Sequence, residues 1–313
     1  SINQEDCHLF YKGFPVFIYC TSSDRFNNEL FKRSCSPSFL ASFDEHQLSV
    51  GDEGEIFKSK GVQFIPPESR EDPKILDAYK ETAPLLIQSH DIKGIVHNHS
   101  TYSDGLHTLT EMAQYVYQSG YQYFVISDHS KSAGYAGGLS EEKLFAQWEE
   151  IDLLNKQYGE SFKIFKSIES DILSDGSLDY TDEILSHFDL VIASVHSVLN
   201  MDEDRATSRL IKAIEHPYTR ILGHPTGRLL LARPGYPLNF EKIIDACAAN
   251  NVVIELNANP QRLDIDWKWI PYCMKKGVLI AINPDAHSKE SIHYIRYGTT
   301  VARKGGLTAE MCL

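Results

Sequence analysis

The sequence contains no run of eighteen apolar residues, so nothing in it reads as a membrane-spanning helix. Its first stretch, Ser1 to Phe10, lacks the basic, apolar and small-residue sections of a secretory signal. Six cysteines (Cys7, Cys20, Cys35, Cys247, Cys273, Cys312) lie far apart with no Cys-x-x-Cys spacing, which argues against both a disulfide framework and a thiolate zinc site. Basic residues are the scarce charge. With 30 Lys and Arg against 43 Asp and Glu, the net charge of −13 makes the surface as a whole repel phosphate backbones, so nucleic acid would need a local basic or metal-rich patch. Dinucleotide binding is also excluded in its usual form, because no Gly-x-Gly-x-x-Gly follows an apolar run. These absences leave a soluble, cytoplasmic protein with no membrane partner as the expectation, and they leave its oligomeric state open.

What is present suits one barrel-sized domain plus a smaller piece, given 313 residues of which 42% are hydrophobic. From Ser1 to about Asp91 the pattern is mixed. FPVFIYC (Phe14 to Cys20) reads as a strand, and Asp24 as the N-cap of a helix through Phe26, Leu30 and Phe31. Pro66 and Pro67 impose extended chain, and a helix is expected near Pro73 to Gln88. The boundary is placed near Ser89 to Asp91, giving a small α+β segment over 1–90 and a second domain over 91–313.

Beyond Asp91 short apolar runs alternate with amphipathic stretches, the mark of parallel βα units. The expected strands are Gly94 to Asn98, Tyr121 to Ser127, Phe162 to Glu169, Leu190 to His196, Thr219 to His224, Asn251 to Asn257 and Val278 to Asn283. Helix starts are legible at Thr108-x-x-Glu111, Ser140 and Asn239, and helix ends at Gly120, Gly159 and Gly277. The fold class predicted is α/β, a seven-stranded (β/α) TIM-like barrel.

Barrel enzymes keep their chemistry at the C-terminal ends of the strands. There the first strand offers His97 and His99 with Asp104 in its loop, the second Asp128-His129, the third Glu169, the fourth His196, the fifth His224 and the seventh Asp285-x-His287. The sixth has no ionisable tip and offers Asn257 and Asn259. One histidine at a strand end is more often a packing residue than a ligand, but six of 13 at the ends of one barrel are not explained that way. So many ligand-type groups would repel one another and lose solvation unless cations sat among them. They are too many for one ion and suit two or three divalent ions, and imidazole with carboxylate favours zinc, manganese or iron.

His97-x-His99, Asp104, His129, Glu169, His196, His224 and Asp285-x-His287 resemble, in order and spacing, the ligand set of the PHP (polymerase and histidinol phosphatase) superfamily. The phrases DILSDGSLDY, SVHS, GHPTGRLL and RYGTTVARKGGL are similar to the C-terminal PHP domain of bacterial family X DNA polymerases. The resemblance implies one metal on His97, His99, Glu169 and Asp285, a second on Glu169, His196 and His224, and a third on Asp104, His129 and His287. It implies a distorted form of the seven-stranded barrel and phosphoester hydrolysis, with Glu169, His196, His224 and Arg233 as the catalytic set. Arg228, Arg233 and Arg262 are candidates to grip phosphate, Asn257 to hydrogen-bond substrate or ligands, and Tyr102 to stack on a base or sugar. The leading expectation is a 3′ to 5′ exonuclease or 3′-end phosphatase acting on DNA 3′ ends. The alternatives are a phosphatase of small phosphate esters and a metal-braced structural or regulatory domain of a polymerase.

The resemblance extends upstream through IPPESRE (Ile65 to Glu71), similar to the connector before that domain. No Asp-x-Asp occurs between Ser1 and Asp91, Phe17 stands where a third polymerase acid is expected, and Ser34-Cys35-Ser36 replaces an expected Thr-Gly-Ser turn. A fragment of a longer protein, or a degenerate polymerase half, is the expectation, without nucleotide polymerisation by this chain.

Overall fold

A computed structural model describes residues 7–49 and 51–313; residues 1–6 and 50, part of the predicted N-terminal segment, lie outside the described residues. The chain divides into two compact units, Ser1–Pro84 and Leu85–Leu313.

The first unit opens with an antiparallel hairpin, β1 (Cys7–Tyr11) and β2 (Phe14–Ile18). Its two-residue turn, Lys12-Gly13, has positive φ at both positions (49° and 84°), matching the right-handed twist of a tight hairpin. Short helices follow, and an aromatic core of Phe31, Phe39, Phe43 and Phe57 closes with Ile56, Val62, Ile65 and Tyr79. Arg70, in the IPPESRE stretch, is buried among Phe31, Phe57 and Phe64 and paired with Glu53 at 2.8 Å. Two expectations are corrected here. The helix Phe26–Arg33 starts after Arg25 with no side-chain cap, because Asp24 is engaged by Ser22 instead. The helix expected over Pro73 to Gln88 is only Ile75–Ala78, with Tyr79 as its C-cap, and Pro84 further on bars helix from running to Gln88.

The second unit is a parallel sheet of seven strands in sequence order: β3 (Gly94–Ile95), β4 (Tyr123–Ile126), β5 (Lys163–Asp171), β6 (Leu190–Ser194), β7 (Thr219–Leu222), β8 (Val253–Asn257) and β9 (Ile280–Asn283). A bridge between Asn98 and Ala286, with His99 N–H donating to Ala286 at 2.8 Å, joins the first and last strands just beyond their ends, so the barrel is nearly closed. The distortion is visible in the two-residue β3 and in a register shift at Val191/Ile192.

Alternation along the strands sorts the core. Val96, Val125, Ile192, Ile221 and Ala281 form one buried cluster, while their neighbours Phe124, Ile126, Val191, Ala193 and Leu222 join the larger core packed with the helices. The predicted caps form: Thr108 and Glu111 make a reciprocal capping box, and Ser140 and Asn239 accept from the N–H groups three residues on. Among the described residues no helix is long and apolar enough to cross a membrane.

Candidate metal centre

Glu169 lies in β5 and is buried, and five imidazoles surround its carboxylate. Oε1 is 3.2 Å from His97 Nε2, 3.1 Å from His196 Nε2 and 2.8 Å from His224 Nε2; Oε2 is 3.0 Å from His129 Nδ1 and 3.7 Å from His99 Nε2. Asp285 Oδ1 lies 3.2 Å from His99 Nε2 and 3.7 Å from His97 Nε2. Asp104 Oδ1 lies 3.4 Å from His287, 3.7 Å from His129 and 3.8 Å from His99. The nine side chains singled out from strand ends therefore converge. They fall into four overlapping groups: His99, Asp104, His129 and His287; His97, Glu169 and His224; His97, His99 and Asp285; His129, Glu169 and His196.

Local backbone explains the convergence. His97 (φ 63°) and Asp285 (φ 51°) both adopt the left-handed conformation just past β3 and β9, an arrangement costing of order 1–3 kcal/mol per residue and found mainly where function fixes geometry. This is why β3 stops short of the predicted Asn98. The following loop is held by Asp128, whose buried carboxylate accepts from Ser100 N–H and hydroxyl, Ser103 N–H and hydroxyl, and Gln147. Gly105 completes it, because a Cβ there would lie 2.5 Å from the His99 carbonyl oxygen. Asp128, read as part of a strand tip, is thus a structural acceptor behind His99 rather than a member of the cluster.

Charge is distributed unevenly. Burial opposes protonation of His97, but Glu255, Glu169 and Asp285 outweigh it and raise its pKa well above the ordinary imidazole value. Burial likewise opposes charging of His196, yet Glu169 and Asp171 raise it to about 10. His99 goes the other way: burial, then His287 and His129, lower it to about 3. Burial works against ionising Asp104, but His287, His99 and His129 lower it to about 2.

The donor set fits divalent cations. His97 Nε2, His99 Nδ1 and Nε2, His129 Nδ1, His224 Nδ1 and Glu169 Oε2 are buried and make no well-directed hydrogen bond among the described residues, even where they crowd within 3.0–3.7 Å of one another, a costly state for polar atoms unless cations engage them.

Two residues of the shell were missed from the sequence. Glu255 in β8 lies 2.5 Å from His97 Nδ1, accepts from the His224 N–H at 3.0 Å, and receives Asn257 Nδ2 and Asn283 Nδ2. The sixth strand has no ionisable residue at its tip, but Glu255 is two residues before Asn257 and so shares its face. Asp171 stands in the same relation to Glu169, and its carboxylate bonds His196 Nδ1.

The remaining candidates separate. Asn257 reaches Glu255 and Asp285 at 2.9 and 3.1 Å, whereas Asn259 caps its own loop by accepting from Gln261 N–H. Arg262 pairs with Asp285 Oδ2 at 3.3 Å. Arg228 is committed elsewhere, donating to the Arg262 and Leu263 carbonyls and pairing with Asp266 at 3.1 Å. Arg233 bonds the Gly227 carbonyl and lines a 340 Å³ groove with Leu199, Met201 and Tyr236. Tyr102 is held by Glu150 through its hydroxyl at 2.9 Å. A different tyrosine, Tyr135, stands beside the cluster, its ring centroid 6.1 Å from His129 and 6.4 Å from His196.

No family model matches the sequence. The chain is 42% identical over 253 residues, 81% of its length, to the DNA polymerase/3′-5′ exonuclease PolX of Bacillus subtilis, and spans 44% of that protein. It is 29% identical over 228 residues to a protein of Thermoanaerobacter sp. named a probable phosphatase, covering 69% of this chain and 88% of the relative. The fold is shared with a solved structure from Listeria monocytogenes described as a histidinol phosphatase, hisK, at a TM-score of 0.52 and 14% identity, covering 64% of this chain and 97% of the other. The chain belongs to the PHP superfamily of metal-dependent phosphoesterases and is related to the C-terminal region of PolX.

Proposed function

We propose that this chain hydrolyses phosphoesters at DNA 3′ ends, as a 3′ to 5′ exonuclease or 3′-end phosphatase. The observation that carries the chemistry is the single buried carboxylate of Glu169 within 3.7 Å of five imidazoles. When bound there, two or three divalent cations supply the charge that activates water and neutralises phosphoryl oxygens. The residues proposed to hold them are His97, His99, Asp104, His129, Glu169, His196, His224, Asp285 and His287. Glu255 and Asp171 then fix the ring orientation of His97 and His196 through the opposite nitrogens. Arg262, which pairs with Asp285, is proposed to bind a phosphoryl oxygen, and Arg233 to bind substrate phosphate as well. Zinc, manganese and iron all suit this mixture of imidazole and carboxylate.

DNA as substrate is supported by the relationship to PolX. The match to that protein, 253 residues, is longer than the 229-residue C-terminal unit, which supports reading the stretch just before that unit as a connector; the partial polymerase-core segment over the rest of residues 1–90 is proposed with it. A second reading, a phosphatase of small phosphate monoesters, is favoured by the extent to which the chain covers the relative named a probable phosphatase and by the −13 charge. Manganese-loaded protein offered single-stranded and recessed 3′ ends, alongside a panel of sugar and amino-alcohol phosphates, separates the two. Release of nucleotide or phosphate from DNA ends supports the first; turnover confined to the small esters contradicts it.

A further inference from the structure

The segment from Ser130 to Leu139 is an unusually well-anchored loop for one that presents a large exposed ring. Ser130 N–H donates to the Glu169 carbonyl at 3.1 Å and Leu139 N–H to the His129 carbonyl at 2.9 Å, so both ends are tied to residues of the cluster. Between them, Ser132 donates its hydroxyl to Asp171 and its N–H to Asp179, both at 2.7 Å, and Lys143 reaches the Gly137 carbonyl at 2.8 Å. The loop folds so tightly that a Cβ on Gly138 would lie 2.0 Å from the Ser130 carbonyl oxygen.

At its crest sits Tyr135, 73% exposed. An exposed tyrosine is ordinary by itself; its surroundings are not. Its ring meets those of His129 and His196 at 58° and 63°, so neither imidazole stacks on its face. Its hydroxyl has no hydrogen-bond partner among the described residues, in contrast to Tyr102, which Glu150 holds. The ring, carried on an anchored loop, therefore offers an open aromatic face at the edge of the site where the phosphoester would react.

We propose that Tyr135 is a stacking platform for the base of the nucleotide whose phosphoester lies in the cluster, and thereby selects substrates that carry a planar base. This rests on the phosphoesterase reading above. A base is separated from its phosphate by one sugar, and the Tyr135 ring stands beside the cluster, 6.1 Å from the His129 ring and 6.4 Å from that of His196. The anchoring matters because a loop already ordered loses little on binding.

The test is calorimetric binding of thymidine 5′-monophosphate and of inorganic phosphate to the manganese-loaded full chain, compared across wild type, Y135A, Y135F and Y135W. Wild type should prefer the nucleotide. Y135A should lose that preference by roughly tenfold or more, the effect expected for removing one base–aromatic stack, while Y135F and Y135W keep it. Equal binding of the two ligands by wild type, an undiminished preference in Y135A, or a loss in Y135F as large as in Y135A would each overturn the assignment. If neither ligand binds the manganese-loaded wild type, the phosphoesterase reading fails and the platform falls with it; if phosphate binds without preference for the nucleotide, only the platform fails.

Discussion

The Glu255 carboxylate lies 2.5 Å from Nδ1 of His97, and both side chains are fully buried. An imidazole held this way presents its other nitrogen in one orientation and with raised basicity, the usual support for a metal-binding histidine. Glu255→Gln should therefore weaken metal binding by about 10- to 100-fold while leaving the fold intact. Competition with a chromophoric chelator measures this, and unchanged affinity would show that Glu255 serves packing only.

The division of the cluster between ions is also open to test. Asp104 faces His287, His129 and His99 but not Glu169. Asp104→Ala should lower metal content by one ion and leave the rest, whereas His99→Ala, which removes a neighbour of Asp285 in one group and of Asp104 in another, should empty more than one position. Elemental analysis of the purified variants decides; equal losses in both would contradict the division.

A further expectation follows from charge. His196 is raised to about 10 and His287 to about 9, in each case with burial opposing the charge and neighbouring carboxylates outweighing it. Both imidazoles therefore hold protons at neutral pH when no cation is bound, and an imidazole binds a cation only after losing its proton. Loading should release roughly two protons per chain or more, and affinity should fall as pH falls. Titrating chelator-treated protein with zinc in two buffers of different ionisation enthalpy should give different apparent heats; identical heats would contradict this.

Asp128 makes a prediction about stability rather than chemistry. Its carboxylate accepts from five donors behind the His97–Gly105 loop. Asp128→Ala leaves those donors without a buried acceptor and should cost at least ~2 kcal/mol, read as a lowered thermal midpoint. A midpoint equal to wild type would mean the loop is held by other contacts.

The barrel was legible because its strands carry apolar runs at regular spacing and its helices carry Thr108, Ser140 and Asn239 as caps, all local signals. The converging ligand-type residues were legible because each sits at a strand end. Glu255 and Asp171 were harder to see: Glu255 lies inside β8 and Asp171 ends β5 two residues past the expected strand end, and only two-residue periodicity counted back from Asn257 or on from Glu169 marks their direction. Tyr135 carries no periodic signal at all, since its place is set by bonds from Ser132 to Asp171 and Asp179 that are distant in sequence. The fate of Arg228 was equally hidden, because its carbonyl partners belong to a loop 34 and 35 residues away.

The most direct test of the central claim is phosphoester turnover by manganese-loaded protein and by Glu169→Gln, with metal content measured on the same samples. The account predicts that wild type releases nucleotide or phosphate, and that the variant loses turnover by at least ~10²-fold together with bound metal, since Glu169 is the one carboxylate all five imidazoles share. Turnover persisting in Glu169→Gln, or none in wild type with its cations bound, would contradict it.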